Sequence, residues 1–324
     1  MADKLLGGEN SAIIMGAIAR NSVYAADIRS LSKVIAELAQ SSFGEFTQGA
    51  NGAGAWLAGA VPHRGLANGK VLAEGNTAQQ MLTNPLKAYL LFGIEPEFDC
   101  ANPSASLSNL NNADFVVCCS PYMTETMQSY ADVILPTVPF TETGGTFVNC
   151  NGVWQAFKAS NKPLGEARPG WKVLRVLGNF LDVPNFDYLQ LEDVTQEIKQ
   201  AVDVMNVDVA DKYQPTQLAA TDKLQRLGFR PLYRVDNVVR RSAPLQAADT
   251  TNFAAVYINT QLAQQLNLSE KDVVEVQQGE ATVDMSVVID ERIADQCVQV
   301  FAANEHSTQL GANYGEIEIR RATA

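Results

Sequence analysis

The sequence predicts an α/β protein in which a mostly parallel sheet, with helices on both faces, is followed by a small β-barrel. Two observations support this prediction. Between residues 1 and 183, short apolar runs alternate with segments of helical spacing, a pattern typical of parallel sheets covered by helices. From about residue 252 onward, apolar and polar side chains alternate along the chain, which indicates strands with one buried face.

The first part of the chain contains four apolar runs of strand length. They predict buried strands at 11–16, 86–93, 114–120 and 131–136. Apolar residues at helical spacing predict helices around 24–39, at 103–112 and at 170–182. Because ligands of parallel sheets bind beyond the carboxyl ends of the strands, we expect a crevice at the loops 93–99, 120–126 and 136–145.

The last quarter of the chain has a different pattern. Residues 259–268 predict a short helix, and residues 273–289 predict a hairpin with its turn at Gly279. Residues 296–304 predict a further strand. A helix and several short strands in so short a segment favour a small closed barrel.

The charge pattern changes between these two parts. Acidic side chains dominate from Asp187 to Asp222, including Asp208 and Asp211, and basic side chains dominate from Lys223 to Arg241. We therefore predict an α/β domain at 1–186, an acidic helical linker with a basic arm at 187–251, and a barrel at 252–324.

The basic arm at 223–241 has two interpretations. It is either a solvated surface segment or a docking surface for another protein. The docking interpretation rests on Pro231, Leu232, Tyr233 and the Val238–Val239 pair, which place apolar anchors among the arginines, as in the energetically dominant part of an interface. In that interpretation, reversing the charges of Arg240 and Arg241 would weaken assembly with neighbouring proteins.

The composition argues against several classes of function. A net charge of −12 over 324 residues argues against a nucleic-acid partner, because phosphate binding requires a basic surface. No apolar run in the sequence reaches the roughly 18–20 residues of a spanning helix. The five cysteines lack the CxxC pairs that are usual in iron–sulfur and structural zinc sites, so we expect free, mostly buried thiols.

Motifs for phosphate binding and for catalysis are also missing. GLANGK at 65–70 has three residues between its glycines and Val71 after its lysine, whereas a phosphate loop has four residues there and then Ser or Thr. No GxGxxG follows a predicted strand, and no Ser/His/Asp or Cys/His spacing stands out. The sequence therefore predicts no catalytic residue and no metal ligand.

The stretch from Tyr130 to Gln155 is the most informative part of the chain. Its short apolar strand ends at a proline, and the glycine-broken loop that follows carries an acid, threonines and two asparagines. A cofactor-facing loop at the end of a buried strand would have this composition.

The same stretch carries a resemblance to a known family. Its pattern ADVxLPxxxFTExxGTxVNxxGxxQ resembles the molybdopterin oxidoreductase superfamily, as do GIEPEF at 93–98 and the barrel segment at 256–300, which is similar to the dinucleotide-binding double-psi barrel of that superfamily. Two further segments, 49–65 and 224–250, look like the G subunit family of proton-pumping NADH-quinone oxidoreductase, respiratory complex I.

The resemblance implies a structural role. The chain would be the C-terminal part of a peripheral-arm subunit, beginning inside the molybdopterin-like domain, on the cytoplasmic side of the bacterial inner membrane. Its partners would be the other peripheral-arm subunits, without direct membrane insertion. The parent complex passes electrons from NADH through iron–sulfur clusters to quinone. Those clusters belong to an N-terminal portion that this chain lacks, and the chain would not be catalytic by itself.

The resemblance also marks a departure at the end of the loop. Catalytic relatives commonly have N-x-E-G-R-x-Q, whereas this chain has Asn151 in place of the acid and Val153 in place of the arginine. Pyrophosphate-bearing cofactors favour bidentate arginine donors. We therefore expect molybdopterin to be absent, and Glu142, Asn149 and Asn151 to be remnants of a pterin loop.

Two alternatives remain open. The chain could be a working domain of a molybdenum oxidoreductase, with a pterin dinucleotide bound across the strand-end loops and the barrel. It could also be a free-standing binding module. Molybdenum and pterin analysis separates the first alternative from a scaffold.

Overall fold

A computed structural model describes residues 2–8, 10–22, 24–47, 49–71, 73–205 and 221–322. The chain divides into two compact units. Unit 1 consists of Met1–Thr77 and Val138–Ala219, and unit 2 consists of Ala78–Thr137 and Ala220–Ala324. Part of the predicted acidic linker, with Asp208, Asp211 and Lys212, lies outside the described residues. The predicted segment boundaries at 186 and 251 stay a prediction.

The elements follow one another as short strands and helices. The helices are α1 (Ala2–Leu6), α2 (Ala17–Asn21), α3 (Ala25–Leu38), α4 (Gly52–Leu57), α5 (Ala78–Thr83), α6 (Pro96–Asp99), α7 (Pro103–Asn111), α8 (Glu125–Tyr130), α9 (Gly170–Phe180), α10 (Leu191–Asp203), α11 (Asn237–Arg240), α12 (Ala243–Ala248) and α13 (Thr260–Gln265). Short 3₁₀ helices lie at Leu66–Asn68, Phe140–Glu142 and Leu232–Arg234.

The strands are β1 (Ala12–Met15), β2 (Ser42–Glu45), β3 (Ala88–Phe92), β4 (Phe115–Ser120), β5 (Val133–Pro136), β6 (Gly145–Val148), β7 (Trp154–Phe157), β8 (Gln225–Leu227), β9 (Ala255–Ile258), β10 (Val273–Gln278), β11 (Ala281–Ile289), β12 (Cys297–Gln299), β13 (Tyr314–Glu316) and β14 (Glu318–Arg321). The predicted strands and helices lie at these positions, with ends that differ by a few residues and with the last predicted strand much shorter.

The α/β class is confirmed, but the parallel strands form two sheets instead of one. Among the described residues, β1 and β2 form a parallel pair in unit 1, and β3, β4 and β5 form a parallel sheet in unit 2. Unit 1 also contains the antiparallel hairpin β6–β7. An apolar run identifies a buried strand, but it does not specify which other strand pairs with it.

One face of the β3–β4–β5 sheet is covered by helices of unit 2. Val116 and Cys118 of the central strand pack against Leu110 of α7 and against Met127 and Tyr130 of α8. Both helices begin at a side-chain cap, which is Asn102 for α7 and Thr124 for α8.

The opposite face of this sheet carries apolar side chains that are exposed. Leu90, Phe92, Phe115 and Val133 are between 37% and 47% exposed. The strand register places Leu90 beside Val117 and Val133 on this face. Parallel sheets are normally covered on both faces, so this face offers an apolar packing surface.

The C-terminal sheet of unit 2 has the order β13-β8-β12-β9-β11-β10-β14. Its two outermost strands, β13 and β14, are separated in sequence by Ile317 alone. The sheet must therefore curl until its ends meet, as expected for the predicted barrel. Side chains that are completely buried fill its interior: Val256, Ile258, Val274, Val276, Val287, Val298 and Leu310.

One detail of the barrel was predicted from the sequence, and another was not. Gly279 lies at the predicted hairpin turn and adopts φ of 59°, which glycine tolerates without strain. Strand β8 was not predicted, because it belongs to the segment interpreted as a basic arm. It pairs with both β12 and β13.

We predict that Met127→Ala destabilises unit 2 by about 2–5 kcal/mol, because Met127 is buried between α8 and β4 and its truncation leaves a cavity. The matched control is Met123→Ala, whose side chain is 65% exposed and whose loss should change stability by less than about 0.5 kcal/mol. Urea unfolding followed by circular dichroism measures both. Equal losses in the two variants would contradict this packing.

Candidate functional site

The carboxyl ends of β3 and β4 lie at one edge of the parallel sheet of unit 2. After β3 the chain turns at Gly93, which has φ of 68°, and the Gly93 N–H donates to the Cys119 carbonyl over 2.8 Å. The Glu95 N–H then donates to Asp99 Oδ2 over 2.7 Å. This turn holds the Glu95 side chain at the strand ends, where parallel sheets usually bind ligands.

The Glu95 carboxylate is bound by two arginines of the basic arm. Arg240 Nη2 lies 3.0 Å from Glu95 Oε2, and Arg240 Nη1 lies 3.0 Å from Asp99 Oδ1. Arg241 Nη2 lies 2.6 Å from Glu95 Oε1, as an ion-pair contact. The Glu95 side chain is 1% exposed and that of Arg240 is 4% exposed. We call Glu95, Asp99, Arg240 and Arg241 the strand-end network.

Local structure in the arm orients these arginines. The Asp236 carboxylate accepts from the Val238 and Val239 N–H groups over 2.9 and 2.8 Å, so α11 begins there and places Arg240 at its last position. The Arg241 guanidinium lies 4.3 Å from the centre of the Tyr122 ring. This geometry gives a cation–π contact in addition to the ion pair.

This arrangement corrects the role assigned to Arg240 and Arg241. The docking interpretation of the arm needs their charges to be available to another protein, but both guanidinium groups bind carboxylates of their own unit. Reversing their charges would disrupt unit 2 itself and would not test docking. Leu232, at 74% exposed, is an apolar anchor of the arm that remains accessible, and docking through the arm stays a prediction.

Three titratable side chains lie next to the network, and the pKa of each is raised. Burial and the neighbouring charges of Glu95 and Asp99 raise the pKa of the Glu97 carboxyl. Burial also raises the pKa of the Tyr130 hydroxyl and raises that of the Cys118 thiol to about 11. A protonated thiol is a weak nucleophile and a weak metal ligand. The Cys118 thiol is therefore better suited to packing than to nucleophilic catalysis.

A second acidic group lies at the strand ends of unit 1. Glu45 is the last residue of β2, and Arg29 binds it in a bidentate manner, with Nε 2.8 Å from Oε2 and Nη2 2.9 Å from Oε1. Arg20 Nε lies 2.7 Å from Glu45 Oε1. The hydrogen bonds from Arg29 and the charges of both arginines lower the pKa of Glu45. The sequence did not reveal this group, because a single acid at the end of a four-residue, glycine-containing strand does not stand out from other surface acids.

The loop candidates Glu142, Asn149 and Asn151 take part in local structure. Glu142 Oε2 accepts from the Leu164 N–H over 3.1 Å. Asn149 Oδ1 accepts from the N–H groups of Asn151 and Val153 over 2.9 and 3.0 Å. The two Asn149 bonds shape the turn between β6 and β7, and the Glu142 bond joins the segment before β6 to the segment after β7. None of the described hydrogen bonds joins Glu142 to the two asparagines, and a role for the three in cofactor binding stays a prediction.

The glycine-rich segment at 49–65 supports the same hairpin. Asn51 Oδ1 accepts from the N–H of Val148, which is buried in β6, over 2.8 Å. A Cβ atom on Gly54 would lie 2.0 Å from Asn51 Oδ1, so a larger residue there would displace the Asn51 amide from the Val148 N–H. The glycines therefore serve close packing here, as the absence of a phosphate-loop motif suggested.

A pterin dinucleotide would need free cationic donors for its pyrophosphate. The arginines at both sets of strand ends already donate to carboxylates of their own unit, and the loop has Val153 where catalytic relatives commonly have arginine. These described residues do not fit a pyrophosphate. In the part of the chain that the structure describes, no group of three or more His, Cys, Asp or Glu side chains is placed to hold a metal ion.

The sequence predicts free, mostly buried cysteine thiols. Cys118 and Cys119 are buried, Cys100 and Cys297 are partly buried, and Cys150 is exposed; all five are free. Within the described residues, no helix combines the length and the apolar character needed to cross a membrane.

Comparison with known proteins identifies the family. A family model described as molybdopterin oxidoreductase matches residues 1–180, which is more than half of the chain. The chain belongs to the molybdopterin oxidoreductase family.

Curated relatives of this family member include proteins of different activities. The mitochondrial 78 kDa subunit of NADH-ubiquinone oxidoreductase from Candida albicans is 32% identical over 39% of this chain, which covers 19% of that protein. A putative formate dehydrogenase from Staphylococcus aureus is 32% identical over 33% of this chain, which covers 11% of that protein. The catalytic subunit of assimilatory nitrate reductase from Bacillus subtilis is 33% identical over 32% of this chain, which covers 15% of that protein.

Among solved structures, acetylene hydratase from Pelobacter acetylenicus has a similar fold. The TM-score is 0.52 at 15% sequence identity, and the match covers 75% of this chain and 46% of the hydratase. At this identity the likeness concerns the fold alone. The chain thus has a molybdopterin-family fold but spans less than half of that relative's length.

We predict that Arg240→Ala destabilises unit 2 by about 3–5 kcal/mol, because it leaves the buried Glu95 without its principal cation. The control is Arg292→Ala, which removes an arginine that is 88% exposed and pairs with Asp290. An exposed pair contributes little to stability. Thermal and urea unfolding compare the two variants. A loss for Arg240→Ala no larger than that for Arg292→Ala would show that the network does not stabilise the unit.

Proposed function

We propose that the chain is a structural portion of the G subunit in the peripheral arm of a proton-pumping NADH-quinone oxidoreductase. In this proposal the parent complex transfers electrons from NADH through iron–sulfur clusters to quinone, and this portion carries no redox centre. Its molybdopterin site is vestigial. Its similarity to the 78 kDa subunit of NADH-ubiquinone oxidoreductase supports the choice of complex.

The proposal that the molybdopterin site is vestigial rests on the pairing of the strand-end arginines with carboxylates. Arg240 and Arg241 are paired with Glu95, and Arg20 and Arg29 are paired with Glu45. Arg240 could bind a phosphate only by giving up contacts to Glu95 and Asp99, which would leave the buried Glu95 carboxylate without its main partner. The Glu45 side chain is 22% exposed, so releasing its arginines would cost less. The pairings therefore favour a scaffold over a cofactor-binding domain.

The surface of unit 2 supports a role in an assembly. The open apolar face of the β3–β4–β5 sheet would be covered by further polypeptide of the peripheral arm, since parallel sheets are stable when both faces are packed. The other subunits of that arm are the proposed partners. The location that follows is the cytoplasmic side of the bacterial inner membrane, by attachment through those partners.

A second candidate function is a domain of a catalytic molybdenum oxidoreductase. The similarity to a putative formate dehydrogenase and to a nitrate reductase favours it. In that case the strand-end arginines would have to leave their carboxylates when a pterin dinucleotide binds.

Metal and pterin analysis of the purified parent protein decides between the two functions. We expect molybdenum and tungsten well below one atom per chain by mass spectrometry, and no pterin fluorescence after oxidation of the extract. The protein should also co-purify with the other peripheral-arm subunits. Stoichiometric molybdenum or tungsten together with a pterin would contradict the proposal and support the catalytic alternative.

A further inference from the structure

A cavity of about 460 Å³ lies in unit 1 between the β6–β7 hairpin and helix α10. This volume is within the range of small-ligand sites, about 300–1,000 Å³. The cavity is separate from the strand ends of β1 and β2, and none of the loop candidates Glu142, Asn149 and Asn151 lines it. The proposed scaffold function makes no use of it.

Small residues in the hairpin create this space. The antiparallel register pairs Thr146 with Ala156, so their short side chains lie on the same face of the hairpin. Gly144 extends the same floor, where a Cβ atom would lie 3.5 Å from Leu191 Cδ2 of α10. These small residues leave open space above the hairpin, which forms the floor of the cavity, and helix α10 forms its wall.

The wall presents one face of α10 to the cavity. Leu191, Thr195 and Lys199 line it, and their spacing of four residues places them one above another on the helix. Leu191 lies near Gly144, and the Lys199 ammonium lies 5.5 Å from the centre of the Trp154 ring. One end of the cavity thus has an aromatic ring with a cation above it.

A second cation lines the cavity from the hairpin. Lys158 follows Ala156 by two residues, so it continues the face of the strand that carries Trp154 and Ala156. In the described parts of the chain, neither Lys158 nor Lys199 forms an ion pair with a carboxylate. Glu192 is the acidic side chain among the lining residues. The cavity therefore combines aromatic surface with an excess of unpaired positive charge.

We propose that this cavity binds a planar aromatic ring that carries one anionic group. The ring packs against Trp154, where a flat π-system gains both apolar contact and ring–ring attraction. The phosphate or carboxylate of the ligand contacts the ammonium groups of Lys158 and Lys199. Mononucleotides and aromatic carboxylic acids share this chemistry.

Calorimetric titration of the purified full chain tests the proposal with four probes. AMP and indole-3-acetate each have a ring and an anion, adenosine has the ring alone, and inorganic phosphate has the anion alone. We expect saturable one-site binding of AMP or indole-3-acetate, with partial quenching of the tryptophan fluorescence. Adenosine and phosphate should bind at least about tenfold more weakly, because each lacks one half of the recognition. Binding of AMP alone assigns the site to mononucleotides, and binding of indole-3-acetate alone assigns it to aromatic acids.

Variants link the binding to this cavity. Ala156→Leu fills the floor and should abolish binding, while an unchanged melting temperature shows that the variant folds. Lys199→Met should weaken binding by about tenfold or more, because it removes an ammonium from an aromatic site. The control is Lys162→Met, at an exposed lysine outside the lining, which should bind as the wild type does. The proposal is overturned if neither AMP nor indole-3-acetate binds saturably, if binding survives both cavity variants, or if Lys162→Met weakens it equally.

Discussion

Glu95 and Arg240 are both removed from water, and each charge is stable there because the other lies within hydrogen-bonding distance. Much of unit 2 depends on this pair. Glu95 belongs to the loop after β3, while Arg240 ends α11 in the segment that follows β8. Pairing them joins the parallel sheet to the arm, and Arg230 adds a bond from the arm to the Asp99 carbonyl over 3.0 Å.

The curled sheet contacts the same loop region. The Asn313 N–H donates to the Ala101 carbonyl over 2.8 Å, and the Asn313 side chain donates to the Cys100 carbonyl. The Asn313 backbone approaches Gly228 so closely that a Cβ there would lie 2.1 Å from the Asn313 carbonyl oxygen. The loop after β3 is therefore held by the arm and by the curled sheet together. This loop is at the strand ends, so the contacts that stabilise unit 2 occupy positions where a related protein could hold a ligand.

Local sequence patterns predicted the elements of this fold but not its long-range pairings. The run at 114–120 gave β4 almost to the residue, because a buried strand in a parallel sheet has a continuous apolar run. The arginines of the arm were assigned to the surface, where most arginines lie. The partner of Arg240 is 145 residues away in sequence, and no local pattern reports such a distance. Arg226 in β8 is similar, since it is buried and donates to Gln278.

The candidate site was also only partly predictable, because its side-chain partners are distant in sequence. The resemblance of the loop at 130–155 predicted the family, which is confirmed, because such a motif records ancestry. It could not show that Asn149 shapes a turn or that Glu45 binds two arginines, because those functions depend on neighbours that the fold brings together. The cavity beside Trp154 was missed for a related reason. The cavity arises from small residues, and no sequence pattern associates such residues with a ligand site.

The central claim is that the buried charges at the strand ends stabilise each other within the unit. A double-mutant cycle with Glu95→Gln and Arg240→Met, measured by urea unfolding of the full chain, tests it most directly. We expect each single variant to be strongly destabilised and the double variant to lose less than their sum, with a coupling energy of about 1–3 kcal/mol. Losses that add to within about 0.5 kcal/mol would contradict the account, because the two charges would then not depend on each other.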